Sequence, residues 1–313
     1  MRLKIKANRC GRKHDRILSE IWELLSKMSF RSNINAGLRL ASDANSRLLN
    51  PTSIPVVYFT GTPNVGDLLN EYLIPRISGR DIVKVKSSMQ PHLRAVGSVV
   101  GSASRFSRIW GSGSINGDAP NRTLRKENIY ALRGQYTLEL IRKNVADSLD
   151  DLPLGDPAVL MPRFFLPDVE KTTDIGIVPH FSDEAQVRGY LSEIGEKDVK
   201  IISVQQDPES FITQLCACRK IYSSSLHGLI LADSYKIPNN WVSFSDKLLG
   251  GEFKFMDYYS TTVSHNEGVS VVSDADGLNE HIKDSDSHCT VKSFTEDEDL
   301  LLQSFPKIYM RDS

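Results

Sequence analysis

Little in this chain departs from neutrality. The 313 residues carry 38 Lys and Arg against 39 Asp and Glu, a formal charge of −1, which argues against a whole-protein nucleic-acid binder. The four cysteines (Cys10, Cys216, Cys218, Cys289) show no framework spacing. Cys216 and Cys218 lack a second ligand pair that would complete a zinc site, so the thiols read as buried groups in a reducing compartment. No apolar run approaches the roughly 18 residues that span a bilayer, and the first residues contain no secretory core. The chain is therefore expected in the cytoplasm. The P-loop and dinucleotide-binding patterns are absent too, as is any metal-ligand cluster; neither a cofactor nor a metal is expected.

The length suits two domains of about 150 residues. Charge is biased only at the start. Residues 1–31 hold nine Lys and Arg against Asp15, Glu20 and Glu23, with Ile17, Ile21, Trp22, Leu24, Leu25 and Met28 near helical spacing. A basic amphipathic helix of this kind could contact an anionic membrane face. The preferred reading is a helix packed on its own domain with a solvated basic tail. Residues 1–54 form a basic helical segment ahead of two α/β halves, 55–165 and 174–313, separated by the Pro-containing "RFFLPDVEKTTD".

Strand and helix signals alternate in both halves. "PVVYFTG" leads through "TPNVGD" into "LLNEYLIPRI", which Pro75 is expected to end or kink. "NIYALRG" leads into "QYTLELIRKN". "DIGIVPHF", "DVKIISVQQ", "RKIYSSS" and "NNWVSFS" are strands separated by helix-like runs, one of them with Asp207 at its N-cap and Pro208 behind it. Strict alternation predicts parallel, doubly wound sheets: an α/β protein of two Rossmann-like domains facing a cleft.

In such sheets ligands sit beyond the carboxyl ends of the strands, and the unusual residues of this chain fall there. Asn64, Gly66 and Asp67 follow one strand; Gly111, Ser112 and Gly113 follow another; Arg133 ends a third. His180 ends a fourth, and Ser223, Ser224, Ser225 and His227 end a fifth. Each also has a plainer reading. Asp67 suits a helix cap, "GSGSING" a simple turn, Arg133 a surface ion pair, His180 a turn and the serines a cap.

Eight segments in order resemble polysaccharide pyruvyl transferases: "NVGDLLNEYL", "AVGSVVGSA", "IWGSGSI", "LRGQYTLELI", "LGDPAVLMP", "IVPHF", "SSSLHGLILADSYKIP" and "KFMDYY". The resemblance spans about residues 56–260 and is nearest the bacterial exopolysaccharide branch; Gln135 stands where a proline is common. It implies a fold similar to the glycosyltransferase B arrangement, phosphoenolpyruvate as donor, a sugar as acceptor, and a cyclic pyruvate ketal with phosphate as products. The acceptor it implies is a polysaccharide or a lipid-linked oligosaccharide. The resemblance also implies roles for Asp67, Arg133, Leu226 and His227. On chemical grounds His227 suits a general acid, Arg133 an anion-binding fork and Asp67 a base or orienting group toward a sugar hydroxyl. Asn64, Gly66, Gly111, Ser112, Gly113, His180, Ser224, Ser225 and Leu226 complete the expected substrate-binding set, with the serines and the glycines 111 and 113 as neutral donors to the anion. Two other readings are a nucleotide-sugar glycosyltransferase and a non-catalytic carbohydrate-binding protein.

Overall fold

The computed structural model describes residues 30–59, 61–86, 89–120, 124–145, 148–195, 198–245, 251–263 and 268–311. The expected membrane-contact segment lies outside them, apart from residues 30 and 31. Helix α1 (Phe30–Leu49) starts the described chain; it buries Leu40, and its Asp43 carboxylate accepts the Lys86 N–H at 3.0 Å.

Two five-stranded sheets follow. The first holds β1 (Ile54–Val56), β2 (Ile82–Lys84), β3 (His92–Arg94), β4 (Ser107–Trp110) and β5 (Ile129–Ala131), in the order β2-β1-β3-β4-β5. The second holds β6 (Thr173–Val178), β7 (Val199–Ile201), β8 (Cys218–Ser223), β9 (Asn239–Ser243) and β10 (Ser270–Val271), in the order β10-β9-β8-β6-β7. The pairings are parallel throughout, with registers such as Val178 beside Ser223 and Val56 beside Leu93. Strands such as β9 bury every residue, the signature of a parallel sheet covered on both faces. The α/β expectation holds.

Both sheets share one winding. Renumbered within its own sheet, each runs 2-1-3-4-5, the flavodoxin-like order rather than the 3-2-1-4-5 of dinucleotide-binding domains. Chain direction reverses between the first and third strands of each, which places a switch point between β1 and β3 and another between β6 and β8. The loops carrying Asn64–Asp67, Gly97–Ser98, His180 and Ser223–His227 leave from those strands.

The helices that matter for the site are α2 (Val65–Ser78), α3 (Gln135–Arg142), α4 (Glu184–Ile194), α5 (Pro208–Cys216), α6 (Leu226–Ser234) and α7 (Phe253–Tyr259). Helix α2 runs three residues beyond Pro75 and closes on Gly79, whose φ of 69° is a left-handed cap. Helix α5 starts as its sequence predicts, with the Asp207 side chain accepting the Ser210 N–H and Pro208 first in the helix. It ends at Cys216, and Cys218 opens β8; burial pushes both thiols up to about 11.

Sequence alone predicts a cleft between the halves. Along α2 and α5 the structure has a packed seam instead. The Val65 N–H donates to the Val204 carbonyl at 2.7 Å, the Tyr72 hydroxyl donates to Glu209 at 2.7 Å, and one apolar core runs from Leu69 and Leu73 to Phe211, Ile212 and Leu229. The end of the chain also leaves its expected domain. After α8 (Ala275–Lys283) and α9 (Ser285–His288), helix α10 (Glu298–Gln303) packs on the first half. There the Trp110 indole donates to the Leu301 carbonyl at 2.9 Å, Phe305 meets the Trp110 ring edge-on, and the Arg311 N–H donates to the Ser78 carbonyl.

Candidate functional site

The two switch points meet at His227. On the first-half side, α2 begins Asn64-Val65-Gly66-Asp67. Asn64 caps it by accepting the Asp67 N–H at 3.2 Å, while its amide donates to Asp67 Oδ2. Asp67 is thus held at the first turn, nearly out of water. Burial raises its pKa to about 6 and outweighs the opposing pull of His227, Asn64, the Phe59 backbone and Lys84.

On the second-half side, β8 ends in three serines. The Ser223 hydroxyl accepts the Ser225 N–H at 3.0 Å, and the Ser224 hydroxyl accepts the His180 N–H at 2.8 Å. Both serines are fully buried, so they lock the β8 loop to the β6 loop. Ser225 occupies the N-cap of α6 without a side-chain capping bond; the simple cap reading of that hydroxyl is not realised. Leu226, expected beside the substrate, lies in the apolar core.

His227 stands in the first turn of α6 and crosses to the other half. A Cβ at Gly66 would fall 2.0 Å from its Nδ1 and 2.6 Å from its Cγ, so only glycine there lets the ring lie against α2. Nε2 points the other way, 3.6 Å from Asp156 Oδ2. Asp156 is fully buried and caps the 3-10 turn Pro157–Arg163 through Oδ1, which accepts the Ala158 N–H at 3.0 Å. An imidazole flanked by two nearly buried carboxyl groups is a proton-transfer arrangement.

The Arg133 expectation changes most. Its side chain is fully buried and ion-paired to Asp257, Nε to Oδ2 at 2.9 Å. Nη1 donates to the Ser98 hydroxyl at 2.6 Å and Nη2 to the Ser114 carbonyl at 2.5 Å. The fork expected to hold a donor anion is therefore committed inside the protein. Asp257 also accepts from the Thr137 N–H at 2.7 Å and hydroxyl at 2.6 Å, tying α7 to the start of α3.

The "GSGSING" loop is likewise turned inward. The Gly111 N–H donates to Ala131 O and the Gly113 N–H to Gly97 O, so neither is presented to an anion. Gly111 has a φ of 80°, and a Cβ there would strike Pro157 at 2.3 Å. Gly113 makes room for Arg133, whose Cζ would lie 2.2 Å from an added Cβ. The Ser112 hydroxyl donates to Gly97 O at 2.7 Å.

Sequence reading passes over Asp156, Asp257 and Lys254, although "LGDPAVLMP" and "KFMDYY" contain them. Lys254 lies one helical turn before Asp257. Burial, reinforced by Arg133, lowers its pKa to about 8, and Lys254 in turn adds to the burial that lowers His180. His180 Nδ1 bonds the Ser182 hydroxyl at 2.8 Å. Lys254 is thus within electrostatic reach of both Arg133 and His180. Among the described residues, no group of three or more His, Cys, Asp or Glu is placed to hold a metal ion, and no helix is long and apolar enough to cross a membrane.

Two comparisons with known proteins return matches. An uncharacterized protein of Acanthamoeba polyphaga mimivirus is 31% identical over 214 residues, which cover 66% of this chain and 74% of that protein. A model of one enzyme family, described as polysaccharide pyruvyl transferase, matches residues 21–246 and so takes in both switch points, Asp67, Arg133, Asp156 and His227. The chain belongs to the polysaccharide pyruvyl transferase family, and with it to the transferases.

Proposed function

We propose that this protein transfers pyruvate from phosphoenolpyruvate to two hydroxyls of one saccharide, forming a cyclic ketal and releasing inorganic phosphate. The observation that carries the reading is His227 lodged between Asp67 and Asp156 where the two switch points meet. Two new C–O bonds form at carbon 2 of the donor and the C–O bond to phosphate breaks. The methylene carbon gains one proton, the two hydroxyls lose two, and the second proton leaves with phosphate.

In this scheme His227 protonates the methylene, which makes carbon 2 electrophilic, and Asp67 accepts a hydroxyl proton or orients that hydroxyl. Burial suits Asp67 to accept a proton near neutrality. The anionic donor lies toward Lys254, His180 and the start of α6. Arg133 stands behind them, fixing the Ser98 and Ser114 loops through its bonds. The acceptor is a polysaccharide or a lipid-linked oligosaccharide. We place the reaction in the cytoplasm, where phosphoenolpyruvate is made, with residues 1–31 as the candidate contact to a membrane-borne acceptor.

The test offers purified protein a panel of saccharides with free neighbouring or 4,6-related hydroxyls, once with phosphoenolpyruvate and once with nucleotide sugars. Acceptor-dependent phosphate release is expected, and His227→Ala should lower it by at least about 10²–10⁴. Release of a nucleotide with no phosphate from phosphoenolpyruvate would overturn the proposal in favour of glycosyl transfer.

A further inference from the structure

We propose that Asp156 is a positioning residue for His227: its buried Oδ2 faces Nε2, so the neutral ring carries its proton there and Nδ1 is the nitrogen that meets substrate. The catalytic use of His227 rests on the function proposed above; its tautomer does not.

Three observations carry this. Asp156 Oδ2 and His227 Nε2 are both shielded from water, and neither has a hydrogen-bond partner among the described residues. They lie 3.6 Å apart, longer than a hydrogen bond and within ion-pair range, a gap that catalytic pairs often close when substrate binds. The other carboxylate oxygen is already used by the Ala158 N–H, which fixes the plane of the group and leaves Oδ2 aimed at the ring.

Exposure then decides which nitrogen works. The His227 side chain keeps 12% of its surface in solvent, and Nε2 contributes almost none of it. The other ring nitrogen, Nδ1, lies against Gly66 at the start of α2, one residue before Asp67, and with Nε2 closed off it is the nitrogen left to exchange a proton with substrate. An ionised carboxylate can only accept. A neutral imidazole facing Oδ2 with Nε2 must therefore place its hydrogen on Nε2, leaving the Nδ1 lone pair toward the reacting groups. On protonation Nδ1 gains the transferable proton, and Asp156 stabilises the cation. The charged and titratable groups around the ring are Asp156 from the 3-10 turn and Asp67 from α2, with Lys84 acting on Asp67 and Tyr258 of α7 beside Asp156.

The test is direct. In protein with ¹⁵N-labelled histidine, long-range imidazole correlations report the tautomer, and His227→Gln identifies the signals. At the alkaline plateau of a pH series, the native ring is expected as the Nε2–H tautomer. Asp156→Asn keeps the cap of Ala158 but offers an amide donor to Nε2, so it should move the ring to Nδ1–H. By analogy with the wrong-tautomer effect in hydrolase triads, kcat should fall by roughly 10³–10⁴ with KM little changed. Asp156→Ser keeps a capping oxygen and removes Oδ2; it should melt near the native temperature and give mixed tautomers. A native Nδ1–H ring, or an Asp156→Asn protein with unchanged tautomer and kcat, would overturn the proposal. If phosphoenolpyruvate is not turned over at all, the spectra still decide the role of Asp156 and only the proposed reaction fails.

Discussion

Gly66→Ala tests the meeting of the two halves without replacing a polar side chain. Alanine in a helix is ordinarily favoured over glycine by about 1 kcal/mol, and Gly66 has no positive φ to object. Here the new methyl would lie 2.0 Å from His227 Nδ1, 2.5 Å from Cε1 and 2.6 Å from Cγ, against an ordinary contact of at least 3.4 Å. The ring must withdraw by about 1.4 Å or α2 must move, an overpacking strain of about 1–3 kcal/mol that reverses the usual sign. Misplacing a reacting group by about 1 Å can cost about 10²-fold in rate, so kcat should fall by at least that much while the protein stays folded. Gly189→Ala on α4, where an added Cβ meets nothing within 4 Å, is the matched control and should leave both melting and turnover at or above native values. Phosphate release and thermal unfolding of the two variants are measured side by side. A Gly66→Ala protein with native stability and native kcat would refute the placement of the His227 ring.

Further outcomes follow from the same structure. Asp257→Ala leaves Arg133 buried without its partner and removes the acceptor for Thr137, so urea unfolding should show a loss of about 3–5 kcal/mol. Arg133→Lys cannot span Asp257, Ser98 and Ser114 together; it should reduce stability as well as rate, and a variant with a raised KM but an unchanged midpoint would contradict the buried position. Asp67 is raised above its ordinary 3.8 to about 6, so its ionised form opposes folding: the penalty is absent below about pH 4 and complete above about pH 6. Asp67→Asn should therefore gain of order 2–3 kcal/mol at neutral pH relative to native. If Asp67 acts as base, the native rate should rise through about pH 6 and that limb should vanish in Asp67→Asn.

Local chemistry was legible in the sequence wherever a residue acts on its own neighbours. The Asp207–Pro208 start of α5, the strand ending in Ser223 and the helix opening at Leu226 all follow from caps, β-branched runs and apolar spacing. Alternation of strands and helices was enough for two parallel sheets. Long-range pairing was not legible. Arg133 and Asp257 are 124 residues apart, so an arginine at a strand end looked like an open fork when it is a closed one. Asp156 caps the turn ahead of Pro157, and nothing local shows that its second oxygen faces a histidine from the other sheet. The glycines misled for a related reason. Gly66 and Gly113 look like loop or anion-cradle residues, yet each is small because a side chain from elsewhere, His227 or Arg133, lies against it. The motifs do contain the residues that pack against one another at long range, Gly66 with His227, Gly113 with Arg133 and Asp156 with His227.

On the proposed mechanism, His227 delivers a proton to the donor's methylene as the ketal forms. Transfer run in deuterated water reads that step, since the methyl group of the product must take one hydrogen from solvent-exchangeable sites. Native protein should give a ketal whose methyl carries one deuterium, with one phosphate released per ketal, and His227→Gln should give neither at an appreciable rate. Phosphate release without a labelled methyl, label and ketal formed at the native rate by His227→Gln, or no transfer to any acceptor of the panel would contradict the account.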